Sequence, residues 1–463
     1  MAGLGAAHRL CVMLCPKHVR LLLPGHSLRF PLNSCQYSSQ RQRPYGRGSL
    51  CKSQELMMSM GVIASSGSGM YTLMPPATRV MDKLLRMVDD EMNKIGALKI
   101  AMPTLGSKEL WEKTGRWDVM GKELFQITDR HGIHHCLSPT HEECVTSVIA
   151  ENRPSHKALP LKYYQTTRKF RDEMRPKHGL LRCREFEMSD LYTFDADEQN
   201  AITTYENVCK AYERLMEKLK LDYLKVEGSS GAMGGSLSHE YHLPAEIGED
   251  TLCSCPSCGK VFNKEITEDP SKSYCAAENC PKSFKETNGI EVLHAFLLGE
   301  KYSAALGAQY QAQDGTKKNM YMACFGLGVT RLIAASVEVL STEKEIRWPA
   351  FISPYTVCII SQKEGYKSDL TDQMAHELYT RLNEEKNLKG EVQLDARTQW
   401  TIGKRLYLAR KQGYPWIIII GKSALKEEPS FEVIDVYNNH TELLSAGQVI
   451  EKLRTVETLP LTL

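Results

Sequence analysis

Seven Lys or Arg and only two acidic residues fall within residues 168–184. Arg171, Glu173, Arg182, Arg184 and Phe186 lie on or beside this basic stretch. The flanking segments, Pro160–Arg171 and Glu185–Phe194, are rich in Tyr, Thr and Phe, which predicts two antiparallel strands joined by a polar loop. Such a hairpin can offer several guanidinium forks to phosphate oxygens while an aromatic ring stacks on a base. On charge alone the same pattern describes a solvated basic hairpin, and both readings stand at this point.

A second feature runs from Met320 to Arg331. A predicted strand, Met320–Phe325, enters a Gly326-Leu-Gly328 turn, and Arg331 occupies the first turn of a predicted helix, Val329–Leu340. Helix N-terminal N–H groups favour an anion and Gly permits close approach, although a lone Gly-x-Gly pair is more often a plain turn. Gly421-Lys422-Ser423 does not make a P-loop, because Trp416 stands where the first glycine is required. Cys255-x2-Cys258 and Cys275-x4-Cys280 are separated by 16 residues, near the spacing of a zinc ribbon, with Cys253 as an alternative ligand. Reduced surface thiols are the other reading. Fifteen cysteines, an odd number scattered over a long chain, do not form a disulfide framework and fit a reducing compartment.

The elements that position these residues follow from periodicity. Apolar residues at helical spacing predict a helix over Pro75–Gly96, with a short strand, Ala97–Met102, after it. Glu198–Leu221 reads as a helix, and Gly228–Ser238 is Gly/Ser-rich. From Trp348 onward, apolar strands (Thr356–Ile360, Trp416–Ile420, Phe431–Val436) alternate with helices (Thr371–Leu382, Ile402–Gln412), which predicts a separate small α/β domain. A length of 463 residues suits two or three domains. A mean hydropathy of −0.35, with no run of about 18 apolar residues, excludes helical membrane spans. Residues 1–54 hold eight of the 58 Lys and Arg and none of the 56 Asp and Glu, so the rest of the chain is net negative by six. A basic, acid-free N-terminus reads as a mitochondrial transit peptide or as a basic tail with another role.

The ordered set resembles a known family. The Pro75–Pro103 helix and strand, the Phe170-Arg171-Asp172-Glu173…Arg182-xxx-Phe186 hairpin and Gly326-Leu-Gly-Val-Thr-Arg331 are similar to motifs 1, 2 and 3 of class II aminoacyl-tRNA synthetases. Ser138-Pro139-Thr140-His141-Glu142-Glu143, Arg184-Glu185-Phe186, Gly235-Ser-Leu-Ser-His239-Glu240, Gly289-Ile-Glu-Val and Gly299-Glu-Lys-Tyr-Ser303 resemble the bacterial-type prolyl-tRNA synthetases. The resemblance covers about residues 53–463 and, with the N-terminus, implies a mitochondrial member acting in the matrix. It implies an α/β (α+β) fold with four parts: a transit peptide and flexible N-terminus at 1–50, an antiparallel-sheet catalytic domain at 51–347, a small Cys-rich insertion in it at 250–285, and an α/β anticodon-binding domain at 348–463. That insertion replaces the large editing domain of many bacterial relatives.

By the same resemblance, Arg171 holds the α-phosphate of ATP, Glu173 meets the adenine amino edge and Phe186 stacks on the ring. Arg182 and Arg331 hold the outer phosphates, and Mg²⁺ accompanies the nucleotide. Thr140 and Glu142 match the proline-binding loop. A carboxylate suits a secondary ammonium, and the same residues also fit a helix N-terminus. His239 either lines the pocket or is structural, and Cys324 either lies near it or is buried and inert. Partners implied are proline, ATP, tRNA(Pro) and a second copy of the chain, with no membrane. Residues 396–426 carry seven Lys or Arg and no acid, and Arg397, Lys404 and Arg405 in this stretch are expected to touch tRNA. Two rivals stay open: a tRNA-binding protein on the same scaffold, which retention of Arg171, Arg182 and Arg331 opposes, and a threonine-specific relative, which the Thr140–Glu142 loop opposes.

Overall fold

The computed structural model describes residues 50–266, 284–365 and 367–461. The expected transit peptide, together with Cys275 and Cys280, lies outside the described residues.

The Pro75–Lys94 helix opens on two prolines, at positions whose N–H groups would be unsatisfied anyway, and the chain turns out through Gly96 at φ +69°. Val80, Leu84, Val88 and Met92, four residues apart, are all fully buried. The Glu198–Leu219 and Val329–Leu340 helices join it on one face of a nine-stranded, mainly antiparallel sheet. The spatial order is Leu237–Pro244, Leu224–Glu227, Val261–Asn263, Asp250–Ser254, Lys285–Gly299, Tyr321–Gly328, Glu185–Asp195, Leu161–Phe170 and Leu98–Lys99. Leu237–Pro244 also pairs with Lys285–Gly299, so that end of the sheet curls back on itself.

Three expectations are revised. The strand over Ala97–Met102 shrinks to Leu98–Lys99, because it is an edge strand with partners only at Tyr163 and Tyr164. Gly326 and Gly328 do not form a turn. The strand continues through both, and the helix begins at Val329. Asp250–Ser254 and Val261–Asn263, in the Cys-rich insertion, are strands of the main sheet, with Cys253 and Cys255 buried and Cys258 exposed.

A five-stranded sheet occupies the C-terminal part, in the order Val392–Leu394, Val357–Ser361, Trp416–Ile420, Phe431–Asp435, His440–Leu444. Its first three strands are parallel. The continuous run Trp416–Ile420 fits a strand covered on both faces: Ile418 and Ile420 enter one core cluster, Ile417 and Ile419 the other.

Among the contacts between the two parts, one carboxylate is fully buried. Glu391 pairs with Lys83 and, at 3.0 Å, with Arg79, both on the Pro75–Lys94 helix, and the Lys83 and Glu391 side chains are fully buried. Lys83 Nζ also donates to the Ser353 carbonyl at 2.6 Å. Burial pulls the Lys83 ammonium down to about 8, against the opposing pull of Glu391. Replacing Glu391 with Ala strands that cation. The urea unfolding midpoint should fall by an amount worth about 3–5 kcal/mol, the cost of breaking a buried pair from one side. A loss below about 1 kcal/mol, the size of a surface pair, would show that the contact does not hold the two parts together.

Candidate active site

The sheet face opposite the helices carries a cavity of about 300 Å³. Strand pleating selects what lines it. On Glu185–Asp195 the alternate residues Phe186, Met188, Asp190 and Tyr192 face the cavity, while Leu191 between them enters the core beneath the helices. Cys324, Gly326 and Gly328 lie directly opposite Tyr192, Asp190 and Met188. A Cβ at Gly326 would stand 3.4 Å from Met188 Sδ, and one at Gly328 3.3 Å from Arg331 Cβ, so the two glycines keep the cavity floor low.

One end of the cavity is cationic. The hairpin register runs from Leu161 opposite Phe194 to Phe170 opposite Glu185, and delivers Arg171 at its loop end. The Arg171 guanidinium lies 5.3 Å from the centre of the Phe186 ring, and its Nε is buried without a hydrogen-bond partner. Burial, reinforced by the neighbouring Arg331, pulls that guanidinium below its ordinary value. Arg331 is held by the Leu181 carbonyl at 2.9 Å and by Glu291, through its carbonyl at 3.1 Å and its carboxylate at 3.3 Å. A register shift opposite Tyr241 and His242 brings Glu291 alongside His294, whose Nδ1 lies 2.9 Å from its carboxylate. Burial raises the Glu291 carboxyl, but the His294 contact and the charges of His294 and Arg331 outweigh it and hold it well below the usual range. Two converging guanidinium groups, one with an orphaned donor, fit an anion with several oxygens.

The other end is acidic. Glu142 and Glu143 fill the first turn of the Glu142–Asn152 helix, where the helix dipole favours negative charge. The cap position falls on His141, which makes no side-chain cap bond, so Thr140 is not the N-cap. Thr140 instead donates its hydroxyl to Glu142. Arg116 reaches both carboxylates, at 3.2 Å from Glu142 and 3.0 Å from Glu143. Asp190 is satisfied by Lys169 at 2.7 Å, Gln165 at 3.0 Å and the Tyr192 hydroxyl at 2.7 Å.

The expected site residues divide accordingly. Arg171, Phe186, Arg331, Thr140 and Glu142 share the cavity, and Cys324 lines it as a buried thiol that burial holds far above its ordinary value. Glu173 and Arg182 do not line it. They pair with each other at 2.8 Å, and Arg182 also pairs with Glu249. His239 is a correction. It lies opposite Ala295 and meets the Tyr205 hydroxyl of the Glu198–Leu219 helix at 2.8 Å, on the core side of the sheet. Its neighbour Ser238 faces the other way and meets His294 Nε2 at 2.6 Å. Arg405 is a second correction. It is fully buried and donates to the Ser361 and Asp395 carbonyls, so it fastens its own domain. Arg397 forms two bonds to Asp395, just outside the acid-free stretch, at 2.9 and 2.6 Å. Exposed Lys404 lies 3.7 Å over the Trp400 ring. Sequence reading missed Arg116, Asp190, Tyr192, Glu291 and His294. The period of two along Glu185–Asp195 signals Asp190 and Tyr192, whereas Arg116 meets its partners only through the fold.

Residues 125–340 match the tRNA synthetase class II core domain (G, H, P, S and T), and residues 356–456 match the anticodon binding domain. A rat protein named "Probable proline--tRNA ligase, mitochondrial" is 48% identical over 408 residues, covering 88% of this chain and 85% of the relative. A human protein of the same name is 47% identical over 410 residues, covering 88% and 86%. The solved structure of Giardia lamblia prolyl-tRNA synthetase in complex with prolyl-adenylate shares the fold, with a TM-score of 0.72 at 18% identity over 87% of this chain and 78% of that one. With a cavity cationic at one end and acidic at the other, a class II core and an anticodon-binding domain, the chain belongs to the proline–tRNA ligase family of class II aminoacyl-tRNA synthetases.

Proposed function

We infer that the chain activates proline with ATP and transfers the prolyl group to the 3′ end of tRNA(Pro) for mitochondrial translation, in the matrix. The observation that carries this reading is the single cavity in which Arg171 and Arg331 converge at one end and Thr140 and Glu142 stand at the other. Glu142 receives the secondary ammonium of proline with Thr140 beside it. Arg171 holds the α-phosphate, Arg331 an outer phosphate, and Phe186 stacks on adenine. Glu173, freed from Arg182 when the nucleotide enters, meets the adenine amino edge, and Arg182 then turns to the outer phosphates. A proline carboxylate oxygen attacks the α-phosphorus; the acyl–phosphate bond forms and pyrophosphate leaves. Fixed guanidinium donors stabilise the charge that gathers on the nonbridging oxygens without having to reorganise. Mg²⁺ would supply further charge neutralisation on the phosphates when bound.

The C-terminal domain binds the tRNA, with Lys404 and Arg397 toward the phosphate backbone. The chain works as a homodimer through the Pro75–Lys94 helix and the Leu98–Lys99 edge strand, where Leu98 is 62% exposed. Cys255 and Cys258 hold zinc with Cys275 and Cys280. The tight turn fits a metal knuckle: the Gly259 N–H donates to the Cys255 carbonyl and the Cys255 N–H to the Lys260 carbonyl, both at 2.9 Å.

The deciding experiment is ATP–pyrophosphate exchange across twenty amino acids, which should depend on proline; strongest exchange with threonine, or none, would overturn the assignment. Arg171→Ala and Arg331→Ala should each slow exchange by about 10²–10³-fold with the fold intact. His239→Leu should leave the proline KM within a factor of two or so and instead cost about 0.5–1.5 kcal/mol of stability, because the Tyr205 hydroxyl loses its bond to His239 and keeps only the longer one to the Ala295 carbonyl at 3.4 Å. A raised proline KM in that variant would return His239 to the pocket. The purified particle should sediment at twice the chain mass and hold one zinc per chain; a fully active monomer, or a zinc-free active preparation, would remove the corresponding element.

A further inference from the structure

Three charges at the acidic end of the cavity are almost completely withdrawn from water. The side chains of Arg116, Glu142 and Glu143 are each 2% exposed or less. One Arg116 nitrogen meets Glu142 at 3.2 Å and both oxygens of Glu143, at 3.0 and 3.1 Å. The guanidinium lies 4.8 Å from the Trp111 ring centre and 5.6 Å from that of Tyr302, and its Nε has no hydrogen-bond partner. Arg116 and Glu142 line the cavity, whereas Glu143 points away and takes the Thr114 hydroxyl at 2.9 Å.

The charges of this end add up simply. Asp190 is cancelled by Lys169, and both side chains are buried. Burial, with the field of Lys169, holds His141 toward its neutral form. Lys301 is exposed and donates to the Ala232 and Met233 carbonyls, so its field is screened by water. Glu142, Glu143 and Arg116 remain; burial and the nearby Glu142 push the Glu143 carboxyl up while Arg116 opposes them from 3.0 Å, and with both carboxylates ionised against the one guanidinium a single negative charge is left over. A buried charge without a partner is costly, and the cavity beside Glu142 is where a partner can enter.

We propose that Arg116 sets this excess at one unit: by neutralising Glu143 and steadying Glu142 it tunes the pocket to a ligand with a single ammonium, and so acts as a positioning residue for amino-acid selection. The proposal rests on the activity inferred above. Without Arg116 two adjacent carboxylates face each other and share a proton, so Glu142 no longer presents a full negative charge in a fixed place. Without the Glu143 charge, Arg116 pairs with Glu142 alone and competes with the ligand for it. Restoring the excess should matter more than restoring any one contact.

The test is exchange kinetics on the full chain, with proline and ATP KM measured separately and tetrahydrofuran-2-carboxylate, a proline analogue with oxygen in place of the ring nitrogen, as competitive inhibitor. Arg116→Met should raise the proline KM by about 30-fold or more, the range for losing one side of a buried charge pair, with the ATP KM nearly unchanged. Glu143→Gln should also raise the proline KM while improving relative inhibition by the uncharged-ring analogue by about 10-fold, a tenfold change being the worth of one modest charge interaction. The double variant Arg116→Met with Glu143→Gln restores one excess negative charge and should recover most of the proline KM. If Arg116→Met does not fold, the double variant and Glu143→Gln decide alone. A double variant no better than Arg116→Met, an ATP KM that rises in step with the proline KM, or unchanged discrimination in Glu143→Gln would overturn the proposal. No proline-dependent exchange in the unaltered chain would overturn the functional reading and this one with it, whereas exchange with an unrescued double variant overturns this one alone.

Discussion

The pleat of one antiparallel sheet is the constraint on which the rest depends. Because successive side chains of a strand point to opposite faces, each strand of the catalytic part must satisfy two environments at once. Leu191, Ala295 and Phe325 belong to the core under the helices, while Asp190, His294 and Cys324, one residue earlier in the chain in each case, face the cavity. A register slip of one residue would drive Asp190 into the helical core and bring Leu191 into the cavity. The chemistry and the core are therefore specified by the same hydrogen-bonded ladder, and the long pairing of Leu161–Phe170 with Glu185–Asp195 secures both.

The same constraint explains which parts were legible in the sequence. Val329–Leu340, buried on nearly every side, and Ile402–Gln412, of which only Arg405 and Ala409 are buried, both appear with the predicted bounds, set by the signals at their ends rather than by a one-face stripe. The hairpin strands appear within a residue or two, since their composition and the charged loop between them are local signals. Lys285–Gly299 was invisible as a strand. Ile290, Val292, Leu293, Ala295, Leu297 and Leu298 are all buried, so neither a period of two nor one of 3.6 stands out. Of the site residues, Arg171 and Arg331 were accessible through their motifs. His239 was misplaced because a motif names a neighbourhood and says nothing of which face a side chain takes. Arg405 shows the matching weakness of counting charges: a stretch without acids looks like an RNA surface, yet this guanidinium is spent on the Ser361 and Asp395 carbonyls inside the domain.

Charge is arranged in the cavity as a gradient. Arg331 is held by the Leu181 and Glu291 oxygens and Arg171 lies against the Phe186 ring, which brings two positive groups together in a partly dry site. Glu291 relieves part of that repulsion by holding Arg331, and His294 holds Glu291 in turn. At the far end the sign is reversed by Glu142 and Glu143. A zwitterionic amino acid laid along this gradient has its ammonium at the negative end and its carboxylate pointing toward the cations, which is the orientation that attack on an α-phosphate needs. Preorganised charge of this kind lowers the barrier because the protein has already met the reorganisation cost on folding.

The helix that underlies the sheet carries that order to the second domain. Val80, Leu84, Val88 and Met92 seat the Pro75–Lys94 helix beneath the sheet, while Arg79 and Lys83, on its first turns, grip Glu391. Arg79 also stacks on Tyr355, 4.3 Å from the ring centre. Glu391 stands at the start of the Val392–Leu394 strand, and its carboxylate accepts the Thr356 hydroxyl at 3.2 Å, next to the Val357–Ser361 strand. A displacement of those two parallel strands cannot leave the helix untouched, since a buried carboxylate separated from its cations is among the more expensive defects a protein can carry. The helix and the C-terminal sheet are therefore joined by a contact that is costly to separate. Through that pair, and through the Arg79 bonds to the Pro354 and Gly390 carbonyls, the anticodon-binding domain is packed against the helix that underlies the sheet carrying the cavity.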